Sequence, residues 1–311
     1  SDYLIAEADE SDASFLHLQP MLSVITNIDQ DHMGTYDNDY QKLTEAFVSF
    51  TSNLPFYGAC VLCADDTGVQ DVINDIHRPL VTYGFSQGAD VQATSVTQQE
   101  RQMHFEVVCK KYNCSFPVEL NLIGKHNILN TLAAIGIACE LDIKVETIQA
   151  ALKDFSGVAR RLDYHGFLKI NNQRVTLFDD YGHHPNEIKA VFESLQNTYK
   201  NKRLVVVFQP HRYTRTRDLF DDFSQALSQA DALVLLDIYP ASEQPIAHIN
   251  SSALASSIRQ RSALDPIVVK NTLEVLDILP NVIKEDDVVL TLGAGDIHTL
   301  VELLTTQYAG S

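Results

Sequence analysis

Leu204-Val205-Val206-Val207-Phe208 is an unbroken apolar run with no polar side. A strand with one face in water alternates polar and apolar residues; a strand covered on both faces, inside a parallel sheet, does not. Leu219, Phe220, Phe223, Ala226 and Leu227 follow at helical spacing, so the run opens a strand–loop–helix unit. Parallel strands with helices on the sheet faces are the fold this requires. The segment Phe208 to Asp218, FQPHRYTRTRD, packs His211, Arg212, Arg215 and Arg217 between strand and helix. Such a loop lies at the carboxyl edge of an open sheet, where ligands bind. Arginine's planar fork suits carboxylate or phosphate. An anionic small molecule is the expected ligand.

The rest of the chain makes this basic cluster stand out. A formal net charge of -18 argues against general nucleic-acid or bilayer binding, because both partners are anionic. The 311 residues suffice for about two domains, and 45% hydrophobic content leaves no shortage of core. Cys60 and Cys63 have CxxC spacing but fall in a strand-like run, where their side chains face opposite sides. With Cys109, Cys114 and Cys139 they read as small buried thiols rather than a zinc site. No signal peptide and no bilayer-length apolar run is visible, so a soluble cytoplasmic protein is expected.

Strand-like and helix-like segments alternate. Tyr3 to Ala6, Leu22 to Thr26, Cys60 to Ala64 and Leu80 to Tyr83 read as strands, with helices at Asp39 to Phe50 and Val69 to Ile76. Val91 to Leu122 reads as a small antiparallel sheet, and Asn127 to Glu140 as a helix. A second βαβ series follows Gly157. Its strands are Val175 to Phe178, Leu204 to Phe208, Ala232 to Leu236, Ile267 to Val269 and Asp287 to Leu292. Its helices are Asn186 to Thr198, Asp218 to Ala230, Ser251 to Gln260 and Thr272 to Ile283. The expectation is an α/β chain of two domains, 1–157 with a mostly parallel sheet and 158–311 doubly wound and Rossmann-like.

Six further segments carry polar chemistry at predicted strand ends or helix starts. Glu7-Ala8-Asp9-Glu10-Ser11-Asp12 offers either oxygen ligands for magnesium with phosphate or a solvated, helix-capping loop. Thr26 to Met33 adds Asp29, Asp31 and His32 on the same sheet edge. Gly124-Lys125-His126-Asn127 enters a helix without P-loop spacing; Asn127 reads as a helix cap or as a nucleotide contact. Arg160 and Arg161 follow the boundary and read as surface ion pairs or as a phosphate reach. Asp179-Asp180-Tyr181-Gly182-His183-His184-Pro185 reads as a ligand loop paired with the arginines. Consecutive histidines diverge, and no nucleophile elbow is present. Gly293-Ala294-Gly295-Asp296 closes the last strand, its glycines suited to close backbone approach.

EADESDASF, TNIDQDHM, NLPFYG, GKHNILN, DDYGHHP, FQPHRYTRTRD and GAGDI occur in the order found in the Mur ligases, and the chain resembles that family over essentially its whole length. DDYGHHP and FQPHRYTRTRD point to the branch that joins L-alanine to UDP-N-acetylmuramate in peptidoglycan synthesis. The resemblance implies ATP and Mg2+, an acyl-phosphate intermediate and attack by the alanine amine. It implies that Glu7 and His32 bind magnesium near the phosphates. His126 and Asn127 would contact the adenine nucleotide, with Asp180 reaching it from the carboxyl-terminal domain. Arg161 would reach the γ-phosphate. Tyr181, His183, Arg212 and Arg215 would form the alanine pocket, with His211 close by. Glu7, His32, Arg161 and His183 are the implied catalytic set.

Two departures accompany the resemblance. No GxxxxGK[ST] segment occurs, so the central ATP-binding domain is expected to be incomplete and this chain inactive as a ligase by itself. Where several relatives carry a carbamylated lysine, the nearest counterpart is Asn53, and no modification is expected. A related ligase for folate polyglutamate or recycled muropeptides, or a non-catalytic ligase remnant, is the alternative reading.

Overall fold

A computed structural model of the chain describes residues 3–30 and 32–308. It divides into two compact units, Ser1–Phe155 and Ser156–Ser311.

In the first unit a six-stranded sheet runs in chain order: β1 Leu22–Ile25, β2 Ala59–Cys63, β3 Leu80–Gly84, β4 Val91–Gln99, β5 Gln102–Cys109 and β6 Cys114–Leu120. β1 to β4 pair in parallel and β4 to β6 antiparallel. The antiparallel strands thus continue the parallel ones in one mixed sheet. Helices α1 Tyr40–Ser52, α2 Thr67–Val72, α3 Lys125–Glu140 and α4 Val145–Asp154 complete the unit. All five residues of β2 are buried, and their alternation feeds two cores. Cys60 and Leu62 join Leu43, Val69 and Val72, whereas Val61 and Cys63 join Ile128, Leu132 and Ile135. Burying each such aliphatic side chain contributes on the order of 1.5–3 kcal/mol. Gly136 lets α3 approach β2, since a Cβ there would stand 2.8 Å from Val61 Cγ1.

Tyr3 to Ala6 is not a strand. No described strand pairs with it, and Tyr3, Leu4 and Ile5 are 64%, 93% and 95% exposed. Apolar, β-prone residues make a strand only where a neighbour takes their backbone hydrogen bonds. α4 was not read from the sequence.

The second unit holds β7 Asp163–Ile170, β8 Gln173–Asp180, α5 Pro185–Thr198, β9 Leu204–Phe208, α6 Tyr213–Asp218, α7 Phe220–Leu227, β10 Ala232–Leu236, α8 Ser251–Arg261, β11 Ile267–Val269, α9 Thr272–Val282, β12 Val288–Leu292 and α10 His298–Tyr308. The sheet order is β11-β10-β9-β12-β8-β7, all parallel except β7. β9 is fully buried at the centre, as its composition requires. β10, β9, β12 and β8 are neighbours with a common direction. Their outgoing loops therefore share one edge.

Three differences from the sequence reading matter here. β7 is an unexpected antiparallel edge strand, irregular between Tyr164 and Phe167. The helix expected over Asp218 to Ala230 begins earlier and is split, because Leu219 leaves helical geometry at φ -112° and ψ 25°. Arg215 and Arg217 thus stand on a helix rather than in a loop. The C-terminal α10 was also unread.

Candidate functional site

The second unit gathers its polar residues where β8, β9, β10 and β12 end. β9 continues as Gln209-Pro210-His211, and His211 forms an isolated parallel bridge with Tyr239 beyond β10. The Arg212 N–H donates to the Tyr239 carbonyl at 2.8 Å, and the Tyr239 N–H to the Pro210 carbonyl at 2.8 Å. This pairing holds Arg212 at φ 69° and ψ 137°, a conformation usually left to glycine and costing about 1–3 kcal/mol. The strained residue starts α6. Glu243 then takes the first turn of α6, accepting from Thr214 Oγ1 at 2.6 Å and from the Thr214 N–H at 3.0 Å. Burial pushes the Glu243 carboxyl up, but these hydrogen bonds outweigh it and leave the group below its ordinary range.

The rings form a row. Tyr181 meets His183 edge-on at 5.3 Å, His183 lies 5.8 Å from His211, and His211 stacks on Tyr239 at 5.6 Å and 8°. Arg215, 8% exposed, places Nη1 3.4 Å from His211 Nδ1. A guanidinium only donates, so Nδ1 of His211 must accept and, in the neutral ring, Nε2 carries the proton. Burial, then the neighbouring His183, Arg215 and Arg212, push His211 down to about 4. Its ring is therefore neutral at pH 7, an N–H donor beside two arginines. His183 has the opposite tautomer. Its Nδ1 donates to the Tyr181 carbonyl at 3.1 Å and lies 3.7 Å from Glu187 Oε2, so in the neutral ring Nε2 is the accepting nitrogen.

Glu187 organises the start of α5. Its Oε2 accepts the N–H groups of His183 at 2.9 Å and His184 at 3.1 Å, while His184 caps the helix through Asn186. Glu187 Oε1 also lies 3.8 Å from Arg161 Nη1. Arg161 is exposed, whereas Arg160 binds Asp179 at 3.0 Å and the Gly293 carbonyl. Both guanidiniums lie over the Tyr181 ring, at 5.0 and 5.8 Å.

Asp180 is 4% exposed, and its carboxylate is taken by the N–H groups of Leu162 and Gly182, each at 2.7 Å. Burial pushes it up to about 6. The structure thus gives Asp180 an internal task, joining β8 to the Arg160–Leu162 segment. The GAGD turn also packs inward: a Cβ on Gly295 would stand 2.8 Å from Cβ and Cγ of Tyr239. Gln209 ties that turn down, donating to Asp296 at 2.6 Å and accepting from the Ile297 N–H at 3.1 Å.

In the first unit, Glu7 is exposed in irregular chain, and His32 is half-buried at φ 54° ahead of a 3-10 turn, Met33–Tyr36. The turn is bound to the acidic loop. Thr35 Oγ1 donates to the Ser11 carbonyl at 2.6 Å, and the Tyr36 hydroxyl to the Glu10 carbonyl at 2.6 Å. Asp9 and Asp12 are engaged locally, accepting the N–H groups of Ser11 and Ser14. Asp31 lies outside the described residues. Among the described residues no three His, Cys, Asp or Glu side chains form a metal-binding group. Asn127 is not the helix cap; Gly124 holds that position. Asn127 is buried in the first turn and donates to the Ile123 carbonyl at 2.8 Å; His126 beside it is half-buried. Asn53 donates to the carbonyls of Leu16 and Leu18 at 2.8 and 3.1 Å.

Residues 1–138 match the family described as Mur ligase middle domain, and residues 160–295 match the Mur ligase, glutamate ligase domain. The chain belongs to the Mur ligases. A curated Mur ligase of Vesicomyosocius okutanii subsp. Calyptogena okutanii, named UDP-N-acetylmuramate–L-alanine ligase, is 70% identical over 99% of this chain and 66% of its own length. One of the same name from Methylococcus capsulatus is 52% identical over 97% of this chain and 64% of its own length. The chain thus spans less than two thirds of these relatives. Among solved structures, MurC of Thermotoga maritima aligns with TM-score 0.75 at 24% identity, covering 96% of this chain and 62% of that one. MurF of Thermotoga maritima in complex with ADP aligns with TM-score 0.69 at 17% identity, covering 93% and 62%. These likenesses establish a shared fold.

Tyr239, Gln209, Glu187 and Glu243 were missed by sequence reasoning. The one available signal was their position at or near predicted strand ends.

Proposed function

We propose that this chain forms part of a cytoplasmic, ATP- and magnesium-dependent ligase that joins L-alanine to UDP-N-acetylmuramate in peptidoglycan synthesis. The observation that carries this reading is the facing pair His183 and His211, whose Nδ1 contacts, a carbonyl and a guanidinium, call for opposite tautomers in the neutral rings. An amino acid presents a carboxylate and an amine. The His211 Nε2–H, with Arg212 and Arg215, supplies donors for the carboxylate, each charge-assisted hydrogen bond contributing about 1.5–3 kcal/mol. The His183 Nε2 lone pair accepts from the amine and can take the proton it must lose before attack. A base held near pKa 4 keeps a proton poorly, so His211 orients and His183 accepts. The names of the curated relatives support the choice of alanine.

The first unit would take the nucleotide and metal. Magnesium keeps most of its waters and needs one or two protein ligands besides phosphate. The donor set fits: Glu7 is an exposed carboxylate on a loop whose Asp9 and Asp12 are already engaged, and His32 adjoins it. When bound, magnesium would neutralise phosphate charge as the muramate carboxylate is activated. Arg161, exposed and uncommitted to the core, would take a phosphate oxygen, and His126 and Asn127 the adenine nucleotide.

Titration calorimetry of the purified chain with L-alanine, glycine and L-glutamate tests the amino-acid site. L-Alanine should bind, and Arg215→Met should weaken it at least tenfold. Binding of L-glutamate in preference to L-alanine would overturn the reading.

A further inference from the structure

We propose that Cys109 and Cys139 are a redox-active pair that a peroxide converts to a reversible disulfide, fastening the end of α3 to the end of β5. This does not depend on the ligase reading. Their Sγ atoms lie 3.2 Å apart, in hydrogen-bond contact. A disulfide needs about 2.05 Å, so a side-chain adjustment of roughly 1.2 Å joins them. Cys109 closes β5 and Cys139 stands in the last turn of α3. Both are 1% exposed, yet both line a surface hollow of about 340 Å³ with Lys110, Lys111, Asp90 and Glu140.

The surroundings favour a thiolate on Cys109. The Cys139 thiol donates to it, burial opposes, and the backbone N–H groups of Tyr112 and Lys111 add to the donation, so Cys109 falls below the ordinary thiol range. The Lys111 ammonium, 3.5 Å from Glu140 and 3.3 Å from Asp142, stands at the same rim. A competitor is present as well. Cys114 is the cross-strand partner of Cys109 in the β5–β6 ladder, but it is exposed, whereas Cys109 turns into the core against Cys139.

The chemistry balances with hydrogen peroxide. The Cys109 thiolate attacks one peroxide oxygen, the O–O bond breaks, and the departing hydroxide takes up a proton as water. Cys139 sulfur then attacks the Cys109 sulfenic sulfur. The S–S bond forms, and the second oxygen leaves as water with the Cys139 proton. Two thiols and one peroxide give one disulfide and two waters. The link closes a loop between residues 30 apart, restricting the unfolded chain and pinning the last turn of α3. Asn127 lies 12 residues earlier, roughly 18 Å along the helix, so the bond acts on the helix rather than on that residue's contacts.

Brief hydrogen peroxide treatment of the chain, alkylation, proteolysis and mass spectrometry decide the matter. The expected product is a Cys109–Cys139 linked peptide two hydrogens lighter than the separate thiols, restored by dithiothreitol. The melting midpoint should rise by several degrees on oxidation and return on reduction. Cys139→Ser should abolish the link and leave a dimedone-reactive Cys109. Should that variant fold poorly, the unmutated peptide map decides alone. Recovery of Cys109 and Cys139 as free thiols while Cys114 is oxidised, or a Cys109–Cys114 link instead, overturns the proposal.

Discussion

The two candidate regions are built in opposite ways. Around His211, the carboxylates are internally satisfied: Glu243 holds Thr214, Glu187 holds two backbone N–H groups, and Asp180 holds two more. Around Glu7, by contrast, the side chain is exposed, and Asp9 and Asp12 accept from N–H groups two positions along. The difference follows from the ligands each would take. A small amino acid offers few contacts, so its donors must be fixed before it arrives. A magnesium–phosphate group brings its own charge and water shell, so a sparse protein contribution suffices.

Gly295→Ala is the harshest test of that built-in order. The new methyl would press on the Tyr239 ring, and overpacking of this kind costs about 1–3 kcal/mol. Guanidinium unfolding should show that loss, with weaker L-alanine binding because Tyr239 backs His211. Unchanged stability would mean the row of rings is loosely held.

A subtler probe uses two opposed titrations. Asp180 sits near 6 when folded, above the ordinary carboxylate value of about 3.9, so its stabilisation is full below about pH 4 and lost as pH rises through 6. His211 sits near 4, below an ordinary value of about 6.5, so its contribution is present above 6.5 and lost as pH falls through 4. The two partly cancel. Relative to the parent, Asp180→Asn should make stability climb more steeply between pH 4 and 6, and His211→Asn should make it fall. Parallel curves for all three proteins would remove the electrostatic account.

Glu7→Gln should change least. In an exposed loop it should leave stability within about 0.5 kcal/mol of the parent while weakening magnesium–nucleotide binding. A large loss of stability would show that the first region is as internally braced as the second.

Much of this architecture was readable from the chain. β9 declared itself by five apolar residues, and Arg215 by the density of charge after it. β7 did not, because Asp163-Tyr164-His165-Gly166 breaks alternation, Gly166 turns to φ 88° and the pairing slips between Tyr164 and Phe167. Tyr3 to Ala6 misled in the other direction, since composition cannot report whether a partner strand is present. In the site, the ligand-facing types were legible and their supports were not. Glu243 lies 29 positions from Thr214 and Asp296 87 from Gln209, and nothing local marks either pairing. The GAGD glycines were read as space for a ligand, whereas Gly295 makes room for Tyr239.

Glu187 serves the start of α5, the backbone at His183 and the neighbourhood of Arg161 at once. Positions 161, 183 and 187 therefore form a single heritable unit. A replacement accepted at one in a distant homologue would be harmful when transplanted here alone, and neutral only with its companions. Strong epistasis among these three, rather than the severity of any single change, is the mark this carboxylate would leave on the evolution of the chain.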